Sequence, residues 1–106
     1  MSVQVLDRAA FEQKVLAGGD KPVLVDFFAT WCGPCKMLHP VIEQVEAETA
    51  GSAEVYQVDI DQESDLAAQY GVMSVPTLIV FKNGKPVNQS LGFMPKERVL
   101  ALIQNS

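Results

Sequence analysis

The stretch Val23-Leu24-Val25-Asp26-Phe27-Phe28-Ala29 limits the fold more than any other part of the chain. It is apolar at nearly every position, so it lacks the alternation of a strand with one wet face and predicts a central strand covered on both sides. A strand so covered needs helices above and below it, and the rest of the sequence supplies them. Val3 to Leu6 reads as a short strand. Asp7 follows as a helix N-cap, with Leu6 and Phe11 spaced as a hydrophobic staple around it and Phe11 and Val15 on one helical face. That helix should end near Gly18-Gly19.

From Pro34 onward Leu38, Val41, Ile42 and Val45 recur at helical spacing, and Gly51 is placed to end the helix. Pro40 lies inside it and predicts a kink in one helix rather than two separate helices. Val55 to Ile60 reads as a strand. Asp61 is then expected to cap a helix carrying Leu66, Ala67 and Tyr70, closed by Gly71. Thr77 to Phe81 and Val87 to Leu91 flank Asn83-Gly84, the strongest short hairpin signal, so these two strands should be antiparallel. Pro95 opens a last helix with Val99, Leu102 and Ile103 inward. Alternating strands and helices followed by a hairpin and a helix imply an α/β domain with a mixed central sheet. At 106 residues without a composition break, residues 1–106 are expected to form one domain.

Just under half of the residues are apolar, enough for a core without metal or disulfide staples. Eight basic residues against thirteen acidic ones give a net charge of −5, which opposes attraction to nucleic acid or to acidic membranes. No apolar run approaches the roughly 20 residues of a membrane span, and the first residues show no basic segment followed by an apolar one. The expected location is the cytoplasm, with neither nucleic acid nor membrane as partner.

The only two cysteines, Cys32 and Cys35, stand three apart. A bridge closing so small a loop restrains the unfolded chain little, so in a reducing compartment the pair is expected to be catalytic or metal-binding rather than structural. The pair sits where the central strand passes into a helix, which places Cys32 among unpaired N–H groups at the positive end of the helix dipole. That setting favours thiolate, the nucleophile of disulfide exchange. Cys32 is the expected attacker. Cys35, one turn further in and less solvated, would resolve the mixed disulfide. Gly33 allows a substrate backbone to approach closely, and Pro34 fits a first helical turn.

The same spacing could supply half of a zinc site, but His39 is the only histidine and no third cysteine exists, so a closed Cys/His site cannot be completed. Two buried, inert thiols stay open as a second reading. Asp59, Asp61, Glu63 and Asp65 begin like a calcium loop, which then fails because Ser64 stands in the glycine position and Tyr70 in that of the bidentate glutamate. His39 reads most simply as an exposed helical residue. Asp26, within an apolar strand, should be desolvated and its pKa raised, or else bonded to backbone at a strand edge.

Taken together, Val25-Asp26-Phe27-Phe28-Ala29, Trp31-Cys32-Gly33-Pro34-Cys35-Lys36, Pro40, Val75-Pro76-Thr77, Gly84 and Gly92 resemble the thioredoxin family in order and spacing over essentially the whole chain. The resemblance implies a mixed five-stranded sheet flanked by four helices and a protein-disulfide reductase that contributes to redox homeostasis. It implies no bound cofactor: reducing equivalents would come from NADPH through a thioredoxin reductase, and disulfide-containing proteins would be the other partners. Monomer is the simplest oligomeric state. Gly-Pro between the cysteines points to a reductase, since oxidase and isomerase relatives usually carry a histidine there.

By the same resemblance, Asp26 lies beneath the cysteines and relays a proton to or from Cys35. Val75-Pro76 forms a cis-proline loop, although only about 5% of X–Pro bonds in folded proteins are cis. Trp31, Ile60, Val75, Pro76, Gly92 and Phe93 form an apolar rim that binds substrate. The chain departs from the family at Gln57, where a lysine is common near the aspartate, at Phe28, where a tryptophan is common, and at Met73 and Ser74 before the proline. A fold establishes no function by itself, and an interaction subunit whose dithiol is incidental would share the same rim.

Overall fold

A computed structural model describes residues 3–106. Five strands form one sheet: β1 (Gln4–Val5), β2 (Val23–Phe28), β3 (Glu54–Asp59), β4 (Thr77–Lys82) and β5 (Lys85–Leu91), in the order β1-β3-β2-β4-β5. β2 pairs parallel with β3 and antiparallel with β4, and β5 closes the other edge antiparallel to β4. The continuously apolar segment is therefore the middle strand, and the sheet is mixed. The first strand is shorter than expected, because only Gln4 and Val5 pair with β3 while Val3 and Leu6 turn into the core.

Helix α1 (Arg8–Phe11) begins at Asp7, whose carboxylate accepts from the Ala10 N–H at 2.9 Å. It continues directly as a π-helical stretch, Glu12–Leu16, which the apolar spacing did not reveal. Leu6 and Phe11 are both fully buried in one cluster, the two halves of the expected staple. Helix α2 (Gly33–Glu48) runs unbroken through Pro40, and beyond its Thr49 cap Gly51 takes a left-handed φ of +90°. Helix α3 (Ser64–Gln69) follows β3, and α4 (Lys96–Gln104) follows Pro95. Asp61 does not cap α3. Glu63 holds the cap position without a side-chain bond, and the Asp61 carboxylate is engaged elsewhere.

The two-residue period of the strands sorts the core into two layers. Leu24, Val55, Leu78 and Val80 point to the side covered by α2 and α4, meeting Leu38, Ile42, Val45, Val99 and Ile103. Leu102 is only half-buried beside them. Val25, Phe27, Val58, Ile79 and Phe81 point to the other side, against Phe11, Val15 and Leu66. There Phe11, Tyr70 and Phe81 pack with ring centroids 5.3–5.7 Å apart, two of the three pairs edge to face.

The same alternation has a direct consequence for the site. Asp26 is two residues from Leu24, and Gln57 two from Val55, so both polar side chains enter the layer beneath α2. The β4–β5 turn uses φ values of 53° at Asn83 and 76° at Gly84, the two left-handed residues of a tight hairpin. A Cβ on Gly84 would come within 2.5 Å of the Leu16 carbonyl oxygen, so glycine is required there for packing as well as for φ.

Candidate active site

The sheet's central strand delivers the chain to the site. β2 ends at Phe28, and after Ala29-Thr30-Trp31 the helix α2 begins with Cys32 as its N-cap, in extended conformation. Pro34 lies in the first turn, where the missing N–H leaves no internal bond unmade. Cys32 and Cys35 form a disulfide with their Cα atoms 5.2 Å apart, and the Cys35 N–H donates to Cys32 Sγ at 3.1 Å. A donor aimed at that sulfur, at the positive end of a 16-residue helix, stabilises negative charge there once the bridge is opened. The arrangement thus favours a Cys32 thiolate as leaving group and as nucleophile.

Cys35, expected to be the deeper and less solvated of the two, differs little in exposure: 4% against 5% for Cys32. What differs is what each one faces. Cys32 Sγ lies 3.7 Å from the Val75 carbonyl oxygen, while Cys35 lines a cleft of about 300 Å³ with Phe28, Lys36, His39 and Gln57. One sulfur looks toward the proline loop and the other toward the interior side of α2.

Asp26 is fully buried on β2. It is not at a sheet edge and does not bond to backbone; Gln57 Nε2, directly across the β2–β3 ladder, donates to its Oδ2 at 2.9 Å, and Oδ1 has no protein partner. Burial raises its pKa to about 6, against smaller downward pulls from the Gln57 hydrogen bond and the nearby His39. A carboxyl poised near neutrality can take or give a proton at working pH.

Of the expected rim, Val75 and Ile60 reach the disulfide directly. Val75-Pro76 is a cis peptide bond. Val75, Ile60 and Phe28 pack on the two cysteines with Ala29. The Gly92 N–H donates to the Pro76 carbonyl at 2.8 Å, tying the end of β5 to the proline loop, and Phe93 beside it is exposed. Trp31 is no core aromatic: it is 68% exposed, and its Nε1–H donates to Asp61 Oδ2 at 2.9 Å. Asp61 in turn receives its backbone position from Asp59, whose Oδ1 accepts the Asp61 N–H. This Trp31–Asp61 link went unread in the sequence, where the aspartate's place before a helix suggested a cap. Met73, exposed to 96%, precedes the proline loop. Among the described residues, no group of three or more His, Cys, Asp or Glu side chains is arranged to hold a metal.

Comparison with known proteins agrees with this geometry. The thioredoxin family model matches residues 2–105. Thioredoxins of Staphylococcus aureus strains, Mu50 and MW2 among them, are 47% identical over 103 residues, covering 97% of this chain and 96% of theirs. The crystal structure of the thioredoxin of Malassezia sympodialis superposes with a TM-score of 0.85 at 40% identity, over 97% of this chain and 90% of that one.

Proposed function

The chain belongs to the thioredoxin family and is a thiol–disulfide oxidoreductase, and from that premise we propose how its residues divide the work. Cys32, as thiolate, attacks one sulfur of a substrate disulfide, forming a mixed disulfide and expelling the other substrate sulfur as thiolate. Cys35 then loses its proton and attacks Cys32, which closes the intramolecular disulfide and releases the second substrate thiolate; two electrons pass to the substrate and two protons complete its thiols. Gly33 and Pro34 hold the turn that keeps the sulfurs within bonding reach.

Asp26 is the base that receives the Cys35 proton. Its raised pKa and its free Oδ1 support the role, as does its place in the layer beneath α2. Trp31, Ile60, Val75, Pro76, Gly92 and Phe93 bind the substrate strand around Cys32. An exposed indole, an exposed phenyl ring and the backbone of a cis-proline loop suit extended peptides of varied sequence, because main-chain pairing does not read side chains.

The observation that carries the reading is the Cys35 N–H aimed at Cys32 Sγ at the head of α2, which supports unequal roles for the two cysteines. Pro34 between them favours the reducing direction. We further place the protein in the cytoplasm as a monomer of one domain, contributing to redox homeostasis. There a thioredoxin reductase would recharge it with electrons from NADPH, with no cofactor on this chain. A cysteine pair that closes so short a loop gains function, not stability, from being reducible, which suits a reducing compartment.

Reduction of insulin disulfides with NADPH and a thioredoxin reductase tests the whole scheme. Turnover is expected for the wild type and none for Cys32→Ser, while Cys35→Ser should accumulate covalent mixed disulfides with substrate. A folded wild-type protein that left insulin intact would instead support the incidental-dithiol reading.

A further inference from the structure

The loop that carries Val75 to the disulfide is held by a residue outside the expected rim. Thr77 opens β4, level with Phe27 on β2 and Leu91 on β5, and is only 1% exposed. A hydroxyl buried that far needs a partner, and Thr77 Oγ1 donates to the Ser74 carbonyl at 2.7 Å, reaching back across the loop. That bond closes residues 74–77 on themselves. A second bond holds the same segment from the other side, where the Gly92 N–H donates to the Pro76 carbonyl at 2.8 Å. The carbonyls before and after Val75 are thus both engaged within the protein. Between them the Val75 carbonyl oxygen lies 3.7 Å from Cys32 Sγ, and among the described residues the Val75 N–H has no backbone partner.

We propose that Thr77 is a positioning residue for disulfide exchange: its hydroxyl, by holding the Ser74 carbonyl, keeps the Val75 backbone set to pair with a peptide strand at Cys32. The proposal rests on the reading of the Val75-Pro76 loop as part of the substrate site. Met73 and Ser74 are both exposed, so packing restrains this end of the loop little, and the Thr77 hydroxyl links it to the central sheet. Gly92 does not do the same work, because its bond fixes Pro76 on the far side of Val75. A β-branched side chain suits the start of a strand, but valine would suit it equally; what threonine adds is the hydrogen bond. A loop set before the substrate arrives need not be ordered on binding, and that saving appears as affinity. The role concerns peptide substrates alone. A small disulfide without a peptide backbone meets Cys32 without main-chain pairing and does not sense the hydroxyl.

The test compares wild type, Thr77→Val, Thr77→Ala and Thr77→Ser, each shown to be folded by its urea unfolding transition. Nitrogen-15 relaxation of the oxidised protein reports the loop, and single-turnover oxidation of the pre-reduced protein by insulin and by hydroxyethyl disulfide reports the chemistry. In Thr77→Val the order parameters of Ser74 and Val75 should fall. The insulin concentration at half-maximal rate should rise about two- to ten-fold, the worth of one neutral hydrogen bond, with the maximal rate unchanged. Thr77→Ala, which also lacks the hydroxyl, should repeat both results, and Thr77→Ser should restore the wild-type values. Hydroxyethyl disulfide should oxidise all four proteins at the same rate. Unmoved order parameters in Thr77→Val, equal slowing with hydroxyethyl disulfide, or no rescue by serine would overturn the proposal. Failure of the underlying reading shows differently: a loosened loop with an unmoved insulin dependence would mean that the loop does not bind substrate, and the proposal would fall with it.

Discussion

Asp26 and Gln57 stand opposite one another on neighbouring parallel strands, and their side chains close the pair with a hydrogen bond of 2.9 Å in the fully desolvated layer beneath α2. Burial in that layer, which the Gln57 hydrogen bond offsets only in part, makes Asp26 costly to the fold at neutral pH. Its pKa is raised from 3.8 to about 6, so the folded state holds the proton more tightly than the unfolded one. Below pH 3.8 both states are protonated and nothing is lost. As pH rises from there to about 6 the unfolded chain ionises first and stability falls; above 6 the whole penalty, on the order of 3 kcal/mol, is present. Asp26→Asn is therefore expected to stabilise the oxidised protein by a few kcal/mol at pH 7.5 and by nothing at pH 3.5, measured by urea unfolding at both pH values.

Gln57 sets the Asp26 titration from the other side. Gln57→Leu removes the donor to Oδ2, so the Asp26 midpoint should move above 6 by about one pH unit, while Gln57→Lys places an ammonium there and should move it below. The pH profile of mixed-disulfide resolution should follow in the same directions. A carboxyl titration by NMR gives the midpoints directly.

Trp31 is the only tryptophan, so its tie to Asp61 can be read without interference. Asp61→Ala removes the acceptor and should leave the indole more mobile, lowering its fluorescence anisotropy. Because an exposed hydrogen bond is worth about 0.5–1.5 kcal/mol, kcat/KM for protein disulfides should fall by about two- to ten-fold. Unchanged anisotropy would show that neighbouring contacts, not Asp61, hold the ring.

Two glycines separate conformational need from mere presence. Gly84→Ala meets both a left-handed φ of 76° and the Leu16 carbonyl at 2.5 Å, and should cost about 2–3 kcal/mol in thermal or denaturant unfolding. Gly19→Ala meets nothing within 4 Å and should stay within about 0.5 kcal/mol of wild type.

Much of this architecture was legible because each signal was local. The apolar run from Val23 marks the central strand, Asp7 the first cap, and Asn83-Gly84 the hairpin, since each reports a constraint that acts over a few residues. The errors were also of one kind. Asp61 has the chemistry of a cap, and only the distant indole of Trp31, thirty positions earlier, takes its carboxylate away. The π-helical stretch at Glu12–Leu16 keeps the apolar spacing of an ordinary helix, and the burial of Cys32 depends on the proline loop more than forty residues later.

From the residues alone came the pair of thiols, the helix start beside one of them, and an aspartate in a place where water would be scarce. Period and capping determine these within one element. The tertiary structure decided which charges those groups meet. It brought Gln57 onto Asp26, Val75 onto Cys32, and His39 into the cleft at Cys35, because parallel strands and a crossing helix join residues that chain spacing keeps far apart. Electrostatic interactions depend on distance and on the exclusion of water, and both are properties of the packed molecule. The cysteine motif thus marked the site, and packing set how its protons can be managed.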